Sequence, residues 1–241
     1  RMLFVYHAQA PLPLSARHLG AGKAVIIPNG VDLKFVRKAA HRPCDHPWAR
    51  DTSIPLVLAV GRHVRQKNFD VLVKAFADAR AAGPMRLMFL GDGEQAEIER
   101  LRALAGQLGV ADEVAFVAAT RNPFPLMAAA RTLALPSLWE GSANVLLEAM
   151  GCGTPVIASR TAGDAAHILD SGRYGILVDP HDSGQLAAAL IRQTGDNPVR
   201  PGNRAADFDR IATMRDYMRL FDQLSGFGAL PAVAGTALSP A

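Results

Sequence analysis

Cysteine is nearly absent: the 241 residues contain two, Cys44 and Cys152, far apart and in no metal-ligand spacing. That scarcity excludes a disulfide-stapled scaffold and a cysteine-based metal site, and it makes a reduced, cytoplasmic setting the expectation. No run of about eighteen apolar residues occurs, so no membrane-spanning helix is expected. The opening stretch RMLFVYHAQAPLPLS lacks the charged end, apolar core and small-residue cleavage site of a signal peptide. It also lacks an initial methionine, which suggests a fragment or a processed product. Charge of one sign is not concentrated. The formal balance is +4 with the seven histidines neutral, without the dense Lys/Arg clustering of a nucleic-acid binder. Such mild basicity fits an anionic partner, the inner face of a membrane, or a plain solvated surface. A G-x-G-x-x-G turn after the first strand is missing as well, against a dinucleotide-dependent oxidoreductase.

What is present is a core-forming composition, 49% apolar and 20% charged. Short apolar runs alternate with longer amphipathic ones. Strands are expected over 24–28, 56–61, 86–91, 113–118, 132–136, 155–159 and 174–179. Helices are expected over 69–83, 93–109, 122–131, 143–151, 164–169 and 182–193. Continuous apolar strands separated by helices predict an α/β fold with a doubly wound parallel sheet buried on both faces. Such sheets bind ligands beyond the carboxyl ends of their strands. Residues 1–23 fall outside the alternation and read as a leader or the tail of another domain. The main domain is expected over 24–200, then a linker and closing helix over 201–224, the helical pattern starting at 207. An Ala/Gly/Pro-rich flexible tail is expected over 225–241.

The chemistry-bearing stretches lie at the strand ends. In AVGRHVRQKN (59–68), Gly61 permits a sharp turn and Arg62 and Lys67 could close on one dianion, a fork from one side and a point charge from the other. Taken singly, the same loop is equally a solvated basic turn. In FLGDGE (89–94), Gly91 and Gly93 make a tight strand-to-helix turn or let backbone pack on a flat ligand, with Asp92 or Glu94 near the helix start. FVAATRN (116–122) and SRTAGDAAHIL (159–169) also follow strands. In WEGSANVLLEAM (139–150), Ser142 is a candidate N-cap, leaving the amides around 142–145 free for an anion. Glu140 stands before that helix start and Glu148 inside the helix. For an isolated pair at this spacing, chance is the better explanation: an exposed helix residue and a loop residue.

In order and spacing, these elements resemble the C-terminal donor-binding domain of family 4 retaining glycosyltransferases (glycosyl transferases group 1). VIIPNGVD (25–32), GRHVRQKN, LGDGE and PSLWEGSANVLLEAMGCGTPVIAS carry the likeness over most of 24–224. The resemblance implies a Rossmann-like half of a GT-B fold and transfer of a sugar from a UDP- or GDP-sugar to a glycan or lipid-linked acceptor. It assigns Glu140, Arg62 and Lys67 to catalysis: the two cations to the diphosphate and leaving nucleotide, Glu140 to the donor sugar. Gly61, Gly91, Asp92, Gly93, Gly141, Ser142, Ala143, Asn144, Val145 and Glu148 would contact the donor, Glu148 at the ribose. No metal or cofactor is implied, nucleic acid is not a partner, and a second, N-terminal GT-B domain would carry the acceptor site. Two positions depart from the family pattern: Gly141-Ser142-Ala143 replaces Gly-Phe-Gly, and AGDAAH supplies Asp164 where a glutamate is common. They keep open a non-catalytic nucleotide-sugar-binding module.

Overall fold

Residues 4–6 and 24–225 are described by a computed structural model of the chain. Most of 1–23, and all of the expected tail beyond Ser225, lie outside the described residues. Strand β1 (Phe4–Tyr6) pairs in parallel with β2 (Ala24–Ile26), Phe4 opposite Ala24. The strand expected at 24–28 therefore forms, but in this two-stranded piece and not in the main sheet.

Two helices unforeseen in the sequence follow, α1 (Leu33–Ala40) and α2 (Pro47–Arg50). The signals for both were present. Asp32 caps α1 by accepting from the Phe35 amide at 2.9 Å, and Pro47 stands in the first turn of α2, where a missing N–H costs nothing.

The alternation then runs β3 (Leu56–Val60), α3 (Phe69–Arg80), β4 (Arg86–Leu90), α4 (Gln95–Gln107) and β5 (Val114–Val117). It continues through α5 (Phe124–Ala129), β6 (Thr132–Leu135), α6 (Asn144–Gly151), β7 (Val156–Ser159), α7 (Ala165–Ile168), β8 (Ile176–Val178) and α8 (Ser183–Thr194). The six strands β3 to β8 form one parallel sheet in the order β5-β4-β3-β6-β7-β8.

Side chains alternate between the two faces, as the pleat requires. Leu56, Leu58, Met88, Leu90, Leu133, Leu135, Val156 and Ala158 enter the core under α1, α5, α6 and α7. Val57, Ala59, Leu87, Phe89, Ala134 and Ile157 enter the core under α3, α4 and α8. Leu58 and Phe89 are fully buried, each contributing about 1.5–3 kcal/mol by leaving water.

The chain builds outward from β3 to β5, then returns to lay β6 on the other side of β3. Connections after β3 and β6 therefore diverge and leave a crevice between their carboxyl ends.

The closing helix α9 (Arg210–Ser225) is anchored at its start. Arg210 donates its amide to Val31 O and pairs with Asp32 at 2.9 Å. Gly30 permits the approach, since a Cβ there would lie 2.5 Å from the Arg210 Cα. Beyond the anchor, Ile211, Met214, Met218 and Phe221 line one stripe of α9 and are each about half exposed.

Candidate functional site

Gly61 and Gly91 end β3 and β4 with φ near +150°, a conformation that side-chain-bearing residues rarely adopt. The two turns stack backbone on backbone: a Cβ on Gly91 would lie 2.0 Å from Gly61 O. A Cβ on Gly93 would lie 2.4 Å from the His63 Cβ. These glycines thus have a structural reason independent of a flat ligand. Asp92 is spent on the next loop, accepting from the Ala119 amide at 2.9 Å, and neither it nor Glu94 caps α4 by its side chain. His63 is buried among Phe69, Phe89 and Phe116, with both ring nitrogens lacking a hydrogen-bond partner.

Asn68 joins three strand ends. It takes the left-handed conformation at the head of α3 and is buried. Its side-chain amide donates to Pro136 O at 3.1 Å and to Pro180 O at 2.7 Å, just past β6 and β8.

Across the crevice, the structure brings Lys67 and Glu140 together. Lys67 Nζ donates to Glu140 Oε1 at 2.6 Å, with the side chains 16% and 11% exposed. The Ser137 hydroxyl donates to the same oxygen at 2.6 Å. Gln66 reaches Glu140 Oε2 at 3.3 Å and Trp139 O at 2.8 Å. Gln66 and Ser137 were missed in the sequence, because neither loop shows which of its side chains turns inward. The side chains of Arg62 and Arg65 are exposed and have no partner among the described residues, so the pair expected to close on an anion is split, with Lys67 held by Glu140 and the Arg62 side chain free.

Ser142 is not the N-cap of α6. That position is Ala143, without a side-chain cap. Ser142 Oγ instead donates to Asp164 Oδ2 at 3.0 Å, and Asp164 Oδ1 accepts from the Ala143 amide at 2.7 Å. A carboxylate from the loop after β7 instead takes the amide of the N-cap residue itself, and a long-range partner of this kind leaves no local signature. It removes one of the amides expected to be free. Those of Asn144 and Val145 head the helix without an intrahelical acceptor.

Glu148 lies in a separate cavity of about 260 Å³ with Asp32, Phe35, Phe124, Asn144 and Arg210. Its carboxylate has no hydrogen-bond or ion-pair partner among the described residues. Burial pushes its pKa above the usual carboxylate range. The same burial, with the nearby Glu148 charge, pushes the Cys152 thiol up to about 12, so that cysteine stays protonated.

A carboxyl group whose pKa rises on folding costs stability above its folded pKa and costs nothing below its unfolded one. Glu148→Gln is therefore expected to raise the melting temperature at pH 7, with the gain fading as pH falls into the ordinary carboxylate range. Thermal unfolding from pH 7 to pH 4 measures it; a lower melting temperature at pH 7 would mean that the carboxylate is stabilised by a partner.

Residues 54–196 match the family described as glycosyl transferases group 1. The chain belongs to that family. Its relatives include a D-inositol 3-phosphate glycosyltransferase of Acidothermus cellulolyticus, 38% identical over 75% of this chain and 41% of the relative. The sucrose-phosphate synthase of Thermosynechococcus elongatus superposes with a TM-score of 0.71 at 27% identity, over 92% of this chain and 58% of that one. HepE of Anabaena, solved with UDP and glucose, gives 0.76 at 22% identity, over 92% and 63%. The domain has the Rossmann-like architecture of one half of a GT-B fold. The chain spans about half the length of the curated relatives it matches. Within this group 1 domain, the matched segment includes Arg62, Lys67, Glu140 and Glu148. Among the described residues, no group of three or more His, Cys, Asp or Glu could hold a metal ion, and no helix is long and apolar enough to cross a membrane.

Proposed function

We propose that the chain is the donor-binding half of a retaining glycosyltransferase that moves a sugar from a UDP- or GDP-sugar to a glycan or lipid-linked acceptor. The observation that carries this reading is the Lys67–Glu140 pair at the crevice between β3 and β6, inside the segment matched to the group 1 family. The donor diphosphate would lie beside Arg62 and Lys67, whose charges stabilise the anion that develops on the leaving nucleotide. Glu140, tied to Lys67 and Ser137, would accept hydrogen bonds from donor-sugar hydroxyls. Glu148, an unpaired acceptor in its own cavity, would take the ribose hydroxyls. Gly91–Gly93 and the loop after Phe116 would flank the base.

The acceptor site would belong to a second α/β domain across the crevice. The apolar stripe Ile211, Met214, Met218 and Phe221 supports such a neighbour, because a stripe of this kind is more stable covered than wet. An acceptor anchored in lipid would place the reaction at the cytoplasmic membrane face.

Calorimetry with UDP and GDP tests the donor site. One of the two is expected to bind in the micromolar to low millimolar range; no heat from either at millimolar concentration would refute it. The capture of Ala143 N by Asp164 favours one other reading, a module that binds nucleotide sugars without turnover. Sugar release or transfer by the whole protein separates the two.

A further inference from the structure

Asp164 is 3% exposed, which is deep for a carboxylate. It has no cationic partner among the described residues. Both oxygens accept hydrogen bonds from the segment between Glu140 and Asn144, one from the Ala143 amide and one from the Ser142 hydroxyl. The loop carrying it presses on the same segment: a Cβ on Gly163 would lie 3.0 Å from Glu140 O.

The charges at this end do not balance. A helix start offers roughly half a positive charge, which one carboxylate outweighs. Glu140 is matched by Lys67, whereas Arg62 and Arg65 stand at the end of β3 and pair with nothing among the described residues. Unpaired cations thus stand after β3, whereas at the start of α6 the buried Asp164 carboxylate has no ion pair among the described residues, the exposed Arg160 of its own loop included.

We propose that Asp164 sets donor-sugar selectivity: it fixes residues 142–143 and gives the sugar end a negative charge, so the site takes an uncharged sugar and rejects a uronic acid. The proposal rests on the donor-site reading above. A carboxylate on the sugar would meet a like charge in a partly dehydrated crevice, where such contacts are costly. The diphosphate, held toward Arg62, would be little affected.

The test measures the affinity of the protein for UDP, UDP-glucose and UDP-glucuronate, and for GDP, GDP-mannose and GDP-mannuronate. In the unaltered protein, the neutral sugar nucleotide is expected to bind at least about tenfold more tightly than its uronate. Asp164→Asn keeps the size and one acceptor oxygen for the Ala143 amide, its NH2 donating to the Ser142 hydroxyl where the carboxylate accepted, but not the charge, and should bring that ratio to within about threefold. Asp164→Glu should preserve the preference. Bare UDP or GDP affinity should stay within about twofold throughout, a separation that a general loss of fold would not produce. Equal affinity for neutral and acidic sugars in the unaltered protein, which needs no variant, would overturn the proposal. So would a ratio unmoved in Asp164→Asn. If none of the six compounds binds, it is the donor-site reading that fails.

Discussion

On the reading proposed above, replacing Lys67 with methionine is expected to cut sugar transfer by the whole protein and also to weaken the fold. Glu140 is 11% exposed, and Lys67 is the cation that compensates it. Removing one partner of a buried pair leaves an uncompensated charge, at a cost of about 3–5 kcal/mol when burial is complete. Some exposure of Lys67 and the Ser137 hydroxyl bring the expectation to the lower end, about 3 kcal/mol. Transfer should fall by about 10²–10³-fold, as when a preorganised donor to a developing anion is removed. Denaturant midpoints and turnover measure the two losses separately. The double change Lys67→Met with Glu140→Gln removes both charges and should restore much of the stability and none of the transfer. Glu140→Gln alone frees Lys67 from its partner, so bare nucleoside diphosphate should bind more tightly while transfer falls. Unchanged stability in Lys67→Met would mean that the pair does not form in solution. Unchanged transfer would remove Lys67 from the leaving-group site.

Gly91→Ala should be the most damaging single methyl group near the crevice. Its Cβ would meet Gly61 O at 2.0 Å, in a backbone conformation with φ +153°. Strained backbone costs about 1–3 kcal/mol and overpacking about as much again, so a loss of about 3–5 kcal/mol is expected. Gly141→Ala is the matched control, since nothing lies within 4 Å of a Cβ there. Thermal unfolding should place Gly141→Ala close to the unaltered protein and Gly91→Ala far below it. Similar melting temperatures would show that the stacked turns can separate at little cost.

The elements that were easiest to read in the sequence owe their form to local pattern. The inner strands β3, β4, β6 and β7 are buried almost throughout, and the edge strands β5 and β8 are also apolar, so each appears as a largely apolar run. Helix α1 was as well marked, by Asp32 and by Leu33, Val36 and Ala40 at helical spacing, but Asp32 also ends the VIIPNGVD motif, so one residue carries two readings. At the site, the sequence placed Lys67 and Glu140 at two strand ends, and parallel-sheet geometry made their meeting foreseeable. The contact that fixes the start of α6 was not foreseeable. Ser142 has the right residue type in the right place, and only the fold reveals that Asp164, twenty-two residues on, takes the amide. Glu148 gave no sign of being unpaired, because a helical glutamate looks the same whether it faces water or a cavity.

Asn68 has a thermodynamic consequence. Through one side-chain amide it ties the end of β3 to the backbone beyond β6 and β8, using proline carbonyls whose residues cannot rearrange freely. Loops that would otherwise wander are already assembled before a ligand arrives, so their ordering entropy is charged to folding and not to binding. Affinity for the proposed donor would then change contact by contact, since a lost interaction is not offset by slackening of the loop that bore it. Loosening Asn68 would return that entropy to the binding step, weakening every ligand alike without touching any of them.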